Sequence, residues 1–380
     1  MIPARSRLVV TRPTVAEIDL RAIAFNLKGI RKHIGEGVKI LGVVKANAYG
    51  HGLIEVARFL ENGLVEYLGV AIAEEGAALR RGGMKAPIHV FTLPSRSQAA
   101  LYAEHRLDAT VCSLTDCQIL NSIGTRFRRT IPVHIKIDTG MNRIGIKPVD
   151  LRVLLKAIAK LRRIEIKGVF THFATSDARN KRFAREQLQR FLQALDIVHA
   201  ERVGPELVHT ANSGAILDLP EASFSMVRPG IISYGYYPSH ETTESIPLKP
   251  AMKLRTVVAL VKRIEPGESV SYNRRFIAKR RTRIATLPVG YADGYTRLLT
   301  GKGSVVIHGK EHPVVGTIGM DQMMVDVGRA DVAAGDEALL IGAQGKARVD
   351  AWDLASRLGT VPLEIVTAIT TRVPRTYRGL

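Results

Sequence analysis

The sequence predicts an α/β chain, with an N-terminal (β/α)8 TIM-like barrel followed by a C-terminal, mainly β domain. Between about residues 38 and 232, eight short apolar runs alternate with amphipathic segments. Near-continuous apolar strands separated by helices imply a parallel sheet covered on both faces. Eight such units within about 200 residues suit a closed barrel better than an open doubly wound sheet, and the glycine-rich dinucleotide fingerprint is missing. From about residue 250 the rhythm changes to strands broken by tight turns, punctuated by "EPGE", "GKGS" and "HGKEHP".

In chain order, a helix over 19–33 leads into the barrel. The eight strands are expected at 38–45, 67–73, 87–93, 108–112, 131–138, 165–173, 206–213 and 225–231. Among the helices between them, 182–200 is the clearest: Phe183, Leu188, Phe191, Leu192, Leu195 and Val198 recur at helix-face spacing. The polar, proline-bounded stretch 236–250 reads as the linker, which gives domains of 1–245 and 246–380. Beyond it come strand patterns from "MKLRTVVALVKRI" to "EALLIGA", interrupted near the end by the helix "DAWDLASRLG". The strand-like piece "RLVV" (7–10) is a candidate to pair with the second domain.

Composition excludes several classes. Apolar residues make up 46% and charged residues 24%, which is ordinary for a globular chain of 380 residues. No run approaches the roughly 20 apolar residues that span a bilayer, and "LVV" is too short for a signal-peptide core. Cys112 and Cys117 make neither a disulfide framework nor a zinc pattern. A cytoplasmic protein without membrane association is expected. The net charge of +20 is spread along the chain, and no nucleic-acid-binding signature accompanies it. A cationic surface that attracts small anions is the expectation, with no specific nucleic-acid partner.

Active sites in such barrels lie at the carboxyl ends of the strands. Lys45 ends the first expected strand. Asp138 ends the fifth, whose "KIDTGMNR" also holds Lys136 and Arg143; His172 belongs to the sixth, Asn212 and Ser213 to the seventh, Arg228 and Gly230 to the eighth. Taken singly, each has an ordinary explanation: a solvated lysine, a core histidine, a helix cap at "NSGA", an arginine paired with a carboxylate. Taken together they place one amine, several cations, an imidazole and Ser/Gly turns leading into a helix on one rim. Such turns offer N–H groups to a phosphate, and a deprotonated amine forms a Schiff base with an aldehyde. Pyridoxal 5'-phosphate satisfies both features. There are no paired carboxylates of a glycosidase, no nucleophilic serine elbow and no metal-ligand cluster.

The chain resembles bacterial alanine racemases, a barrel-type family of pyridoxal-phosphate enzymes. Ten motifs in order carry the resemblance: "RPTVAEIDLRAIAFNL" (12–27), "VVKANAYGHG" (43–52), "IKIDTGMNRIG" (135–145), "THFATSD" (171–177), "HTANSGA" (209–215), "MVRPGI" (226–231), "SVSY" (269–272), "LPVGYADGY" (287–295), "GMDQMMVDV" (319–327) and "RVPR" (372–375). The resemblance implies interconversion of L- and D-alanine for peptidoglycan. It implies Lys45 as covalent cofactor anchor and one proton-transfer base, and Tyr272 as the opposing base. Tyr49, Ser213, Gly230 and Ile231 would surround the phosphate, His172 the ring and Arg228 the pyridine nitrogen, with Asn212 also among the cofactor-binding residues. Arg143 and Met320 would meet the substrate carboxylate, and Lys136 matches a lysine often carbamylated in the family. Tyr272 and Met320 would come from the other subunit, so a homodimer with shared sites is implied. Two positions depart from the family pattern: Leu363 stands where a phosphate-contacting tyrosine is common, and Asn273 where glycine is usual.

Lysine and tyrosine have reference pKa values of roughly 10.4 and 10, so as bases they need surroundings that favour proton loss. Arginine at the ring nitrogen is too basic to surrender a proton, which leaves the cofactor a weaker electron sink and opposes transamination. Competing readings are a racemase of broader specificity, a diamino-acid decarboxylase of the same barrel type, and a non-catalytic binding protein.

Overall fold

A computed structural model describes residues 11–379 as two compact units, one comprising Arg21–Lys249 and the other the chain up to Leu20 together with Pro250 onward. The expected strand at 7–10 lies outside the described residues. The strand found nearby is β1 (Val15–Asp19), a stretch whose buried residues Val15, Ala16 and Ile18 do not alternate cleanly with polar ones.

The first of these units is an eight-stranded parallel barrel. Its strands are β2 (Lys39–Val43), β3 (Tyr67–Val70), β4 (Ile88–Val90), β5 (Asp108–Val111), β6 (Ile131–Lys136), β7 (Ile164–Phe170), β8 (Leu207–His209) and β9 (Met226–Val227). Neighbours pair in sequence order from β2 to β8, and β9 pairs with β2. Between β8 and β9 the ring is completed by single bonds, with Ser225 N–H donating to Val208 O at 3.1 Å and Arg228 N–H to Ala211 O at 2.9 Å. All eight expected strands are present, several shorter than expected because their last residues leave the strand ladder at the rim, most of them still buried.

The helix Leu20–Ile34 precedes β2, and Arg182–Ala200 is the longest helix among the described residues. Its buried face is rotated from the expected one: Ala184, Leu188, Phe191, Ala194, Leu195 and Val198 are buried, whereas Phe183 and Leu192 are half-buried. The buried Gln187 accounts for the rotation. Its Oε1 accepts from Ala174 N–H (2.9 Å), and its Nε2 donates to Thr139 Oγ1 and His172 O, both 3.2 Å away. A polar side chain is tolerated there because its hydrogen bonds are made.

The second unit holds a ten-stranded sheet. Its further strands are β10 (Met252–Val257), β11 (Leu260–Ile264), β12 (Ser269–Val270), β13 (Phe276–Ile277), β14 (Thr282–Leu287), β15 (Ser304–Ile307), β16 (Lys310–Val315), β17 (Met323–Asp326), β18 (Glu337–Gln344), β19 (Ala347–Val349) and β20 (Arg375–Arg378). The order is β11-β14-β17-β16-β15-β18-β10-β1-β20, with β19 on β18 and the β12–β13 hairpin apart. β1 lies antiparallel to β10 and parallel to β20. Among the described residues no helix is long and apolar enough to cross a membrane, and no cluster of His, Cys, Asp or Glu could hold a metal ion.

Candidate active site

At the carboxyl end of β2, Lys45 opens a turn of left-handed helix. Ala46, Asn47, Ala48 and Tyr49 have φ between 51° and 57°, four consecutive non-glycine residues in a conformation costing about 1–2 kcal/mol each. Hydrogen bonds hold it. Ala48 N–H donates to Val44 O (2.8 Å), Leu53 N–H to Asn47 Oδ1 (2.8 Å), and Ala46 N–H to Glu75 Oε1 (2.6 Å). Gly50 and Gly52, at φ 82° and 101°, release the chain into the next helix. The other oxygen of Glu75 accepts from Ala71 and Ile72 N–H at 2.9 and 3.4 Å, so this carboxylate ties the Lys45 turn to the end of β3. Glu75→Ala leaves three amides without their acceptor and should cost about 2–3 kcal/mol in thermal or denaturant unfolding. It should also lower the Lys45 pKa further, because Glu75 is the group that raises it.

Lys45 is already pulled below the ordinary lysine range, first by burial and then by the Arg143 charge. Its ammonium lies 6.0 Å from the Tyr49 ring centre, and that ring packs at 5.0 Å on Tyr234, whose hydroxyl donates to Val43 O. On the same rim, after the neighbouring strand β9, Gly230 N–H donates to Ser213 Oγ at 3.0 Å. Ser213 begins the short helix Ser213–Asp218, capped by Asn212, whose Oδ1 accepts from Ala215 N–H and Ser176 Oγ–H. A Cβ at residue 230 would stand 2.8 Å from Tyr49 Oη and 3.5 Å from Ser213 Oγ, so two hydroxyls and one amide converge on the space glycine leaves. The buried Ile231 follows.

Arg228 is 4% exposed and surrounded by acceptors: Thr171 O at 2.8 Å, Thr210 O at 3.0 Å, His172 Nδ1 at 3.3 Å and His209 Nδ1 at 2.7 Å. Burial brings it down to about 9, still cationic at neutral pH. Because a guanidinium only donates, the bond to His209 fixes a series of tautomers. Neutral His209 carries its proton on Nε2, which faces His134 Nδ1 at 2.9 Å. His134 then carries its own proton on Nε2, 3.5 Å from Asp108 Oδ2, an oxygen that also accepts from Tyr67 Oη–H at 2.9 Å. The series descends from the rim to the first residue of β5. Gly168 makes room for it, since a Cβ there would meet His134 Nδ1 at 2.4 Å. Burial, foremost, keeps all three rings, His172, His209 and His134, below the ordinary histidine range.

Lys136, the last residue of β6, is 4% exposed, with its ammonium 5.3 Å from the Phe170 ring centre. Burial, then Arg228 and Arg143, bring it down to about 7. Arg143 is exposed, on a loop organised by Asp138, whose Oδ1 accepts from Gly140 and Asn142 N–H, both at 3.0 Å. The barrel therefore brings Lys45, Tyr49, Lys136, Arg143, His172, Asn212, Ser213, Arg228, Gly230 and Ile231 to one rim. Tyr272 and Met320 belong to the other unit, on loops that leave them 70% and 54% exposed. Glu75, Gln187, His134, His209 and Asp108 were not singled out from sequence. His134 had a signal: it lies two residues before Lys136, on the same strand face.

Comparison with known proteins agrees with this geometry. The family model for the alanine racemase N-terminal domain matches residues 18–238, and that for the C-terminal domain matches 251–377. A relative named alanine racemase from Clostridium novyi (strain NT) is 45% identical over 96% of this chain and 95% of its own length. The solved alanine racemase of Clostridium difficile 630 superposes with a TM-score of 0.93 at 39% identity, covering 97% of this chain and 96% of that one. A histidine racemase from Leuconostoc mesenteroides subsp. sake superposes at 0.90 with 28% identity, covering 97% and 99%. With both parts matched in order and the similarity running nearly end to end, the chain belongs to the alanine racemase family.

Proposed function

We propose that this chain interconverts L- and D-alanine with pyridoxal 5'-phosphate as cofactor, as a cytoplasmic homodimer that supplies D-alanine for peptidoglycan. The carrying observation is the barrel rim, where an amine of depressed pKa, Lys45, accompanies a cradle of two hydroxyls and an amide. The residues suit the group: the space at Gly230 is bounded by Tyr49 Oη and Ser213 Oγ, donors for phosphate oxygens, and the Ile231 amide follows. When bound, pyridoxal phosphate draws electrons from the substrate Cα–H bond and acidifies that hydrogen.

The chain's own groups do the rest. Lys45 would anchor the cofactor aldehyde, then take or return a proton on one face of Cα as the neutral amine that its lowered pKa favours. Tyr272, reaching the site from the second subunit, would serve the opposite face. Arg143 and Met320, the latter also from the second subunit, would hold the substrate carboxylate. His172, held in place through Gln187, would lie against the cofactor ring, while Asn212 caps the helix that presents Ser213. Arg228, fixed as a donor, would face the ring nitrogen without protonating it, which favours proton return to Cα.

Lys136 would react with carbon dioxide, its neutral amine forming a carbamate and releasing a proton; the resulting anion would sit near Arg143 and Arg228. The expected result is a carbamate signal after equilibration with carbon-13 bicarbonate, absent in Lys136→Met. The uncarbamylated amine has a second consequence. Between about 7 and 10.5 the unfolded lysine binds a proton that the folded one does not, so stability rises with pH across that window. Bicarbonate, taken up as carbamate by the folded neutral amine, should add stability within this window without reversing the slope, and no gain in stability would count against the carbamate.

The deciding assay incubates purified protein with L-alanine and pyridoxal phosphate and follows D-alanine by chiral chromatography. Because the enantiomers have equal free energy, the mixture should approach equal amounts. Cofactor binding without D-alanine formation would reject the reading. Parallel reactions with serine and histidine test the broader-specificity alternative, which the resemblance to a histidine racemase keeps relevant.

A further inference from the structure

The backbone around Tyr272 is strained. Ser271 has φ 64° and ψ −171°, a region occupied almost only by glycine, and Asn273 and Arg274 follow at φ 61° and 48°. These residues bridge β12 and β13. With Tyr272 70% exposed, packing within this chain does little to orient the phenol, so its direction is set by the main chain.

What restrains that main chain is a reciprocal pair of hydrogen bonds. Ser271 Oγ–H donates to Thr317 O at 2.6 Å, and Thr317 Oγ1–H donates to Tyr272 O at 2.8 Å. Thr317 is 1% exposed, and the next amide, Ile318 N–H, donates to Thr300 Oγ1 at 3.2 Å. The approach is close enough to require glycine at 316, where φ is 67° and a Cβ would meet Val270 O at 2.6 Å. Arg274 Nε–H donates to Ser269 Oγ at 3.0 Å and closes the turn from the other side.

We propose that Thr317 is a positioning residue for Tyr272: its hydroxyl pins the Tyr272 carbonyl and so holds the peptide to Asn273 in the left-handed conformation that aims the phenol. This rests on Tyr272 being a proton-transfer group. The same contact joins the Tyr272 loop to the loop that carries Met320 three residues on. It also lets asparagine stand where the family usually has glycine, because the bond compensates for strain that glycine would not incur.

Thr317→Val keeps the side-chain shape and removes the donor. In deuterium oxide, α-hydrogen exchange from L-alanine, the half-reaction assigned to tyrosine, should fall about tenfold, the scale of one lost hydrogen bond. Exchange from D-alanine, assigned to Lys45, should change less than about twofold, since that base lies elsewhere. Without substrate, amide hydrogen exchange over residues 271–275 should rise while the rest of the sheet is unchanged. Thr317→Ser should restore both readouts, and Ser271→Ala, which removes the other half of the pair, should reproduce the selective loss. Equal losses in both exchange directions, or no loss in either, would overturn the proposal. Tyr272→Phe run beside these variants separates the two claims. If it leaves exchange from L-alanine intact, the role of Tyr272 itself fails; if it abolishes that exchange while Thr317→Val is unselective, only the positioning role fails.

Discussion

Lys45→Ala is expected to abolish both turnover and the visible absorption of bound cofactor. The amine lies at the mouth of β2 in a left-handed turn tied down by Glu75 and Asn47, and burial together with Arg143 lowers its pKa. Lys136, the other amine at the rim, belongs to β6 and not to this turn, and burial and the Arg228 and Arg143 charges lower its own pKa. Loss of an anchoring nucleophile that is also a general base should cost at least about 10⁴-fold in rate. Absorption spectra of reconstituted Lys45→Ala and unsubstituted protein provide the check. A retained visible band would move the anchor to another amine.

Tyr272→Phe should reduce racemisation by about 10²–10⁴-fold, the usual contribution of one general base. An equilibrium constant of unity forces kcat/KM to fall equally in both directions, so net rates cannot show which face was lost. Exchange with solvent deuterium can. Exchange from L-alanine should nearly vanish, while D-alanine continues to exchange with retention through Lys45. Equal loss of exchange from both enantiomers would reject the assignment. Mixing Lys45→Ala with Tyr272→Phe subunits should restore part of the activity, because hybrid dimers would contain one intact site. No recovery after demonstrated subunit exchange would exclude a shared site.

Much of the barrel was legible because a strand buried on both faces is largely apolar, a character clearest in the runs at 38–45, 67–73 and 87–93. The strand-end rule then located the rim from Lys45, His172, Ser213 and Arg228 without coordinates. Val15–Asp19 was missed: at five residues, with Glu17 and Asp19 within it, its pattern does not separate strand from helix start. The rotation of the buried face of the helix Arg182–Ala200 was missed because Gln187 looks like a surface residue until its three partners are seen. Asp108 and Thr317 lie far in sequence from the residues they serve.

The sequence by itself determined the fold class, the family and the side chains gathered at the rim, since these depend on hydrophobic period and on motifs short enough to be local. Only the tertiary structure decided the left-handed turn at Ala46–Tyr49, the direction of donation from Arg228 through His209 to His134, and the hydrogen bonds that restrain the Tyr272 backbone. Each depends on a strained conformation or a proton position set by atoms brought together through folding, and no local preference of the chain encodes that encounter.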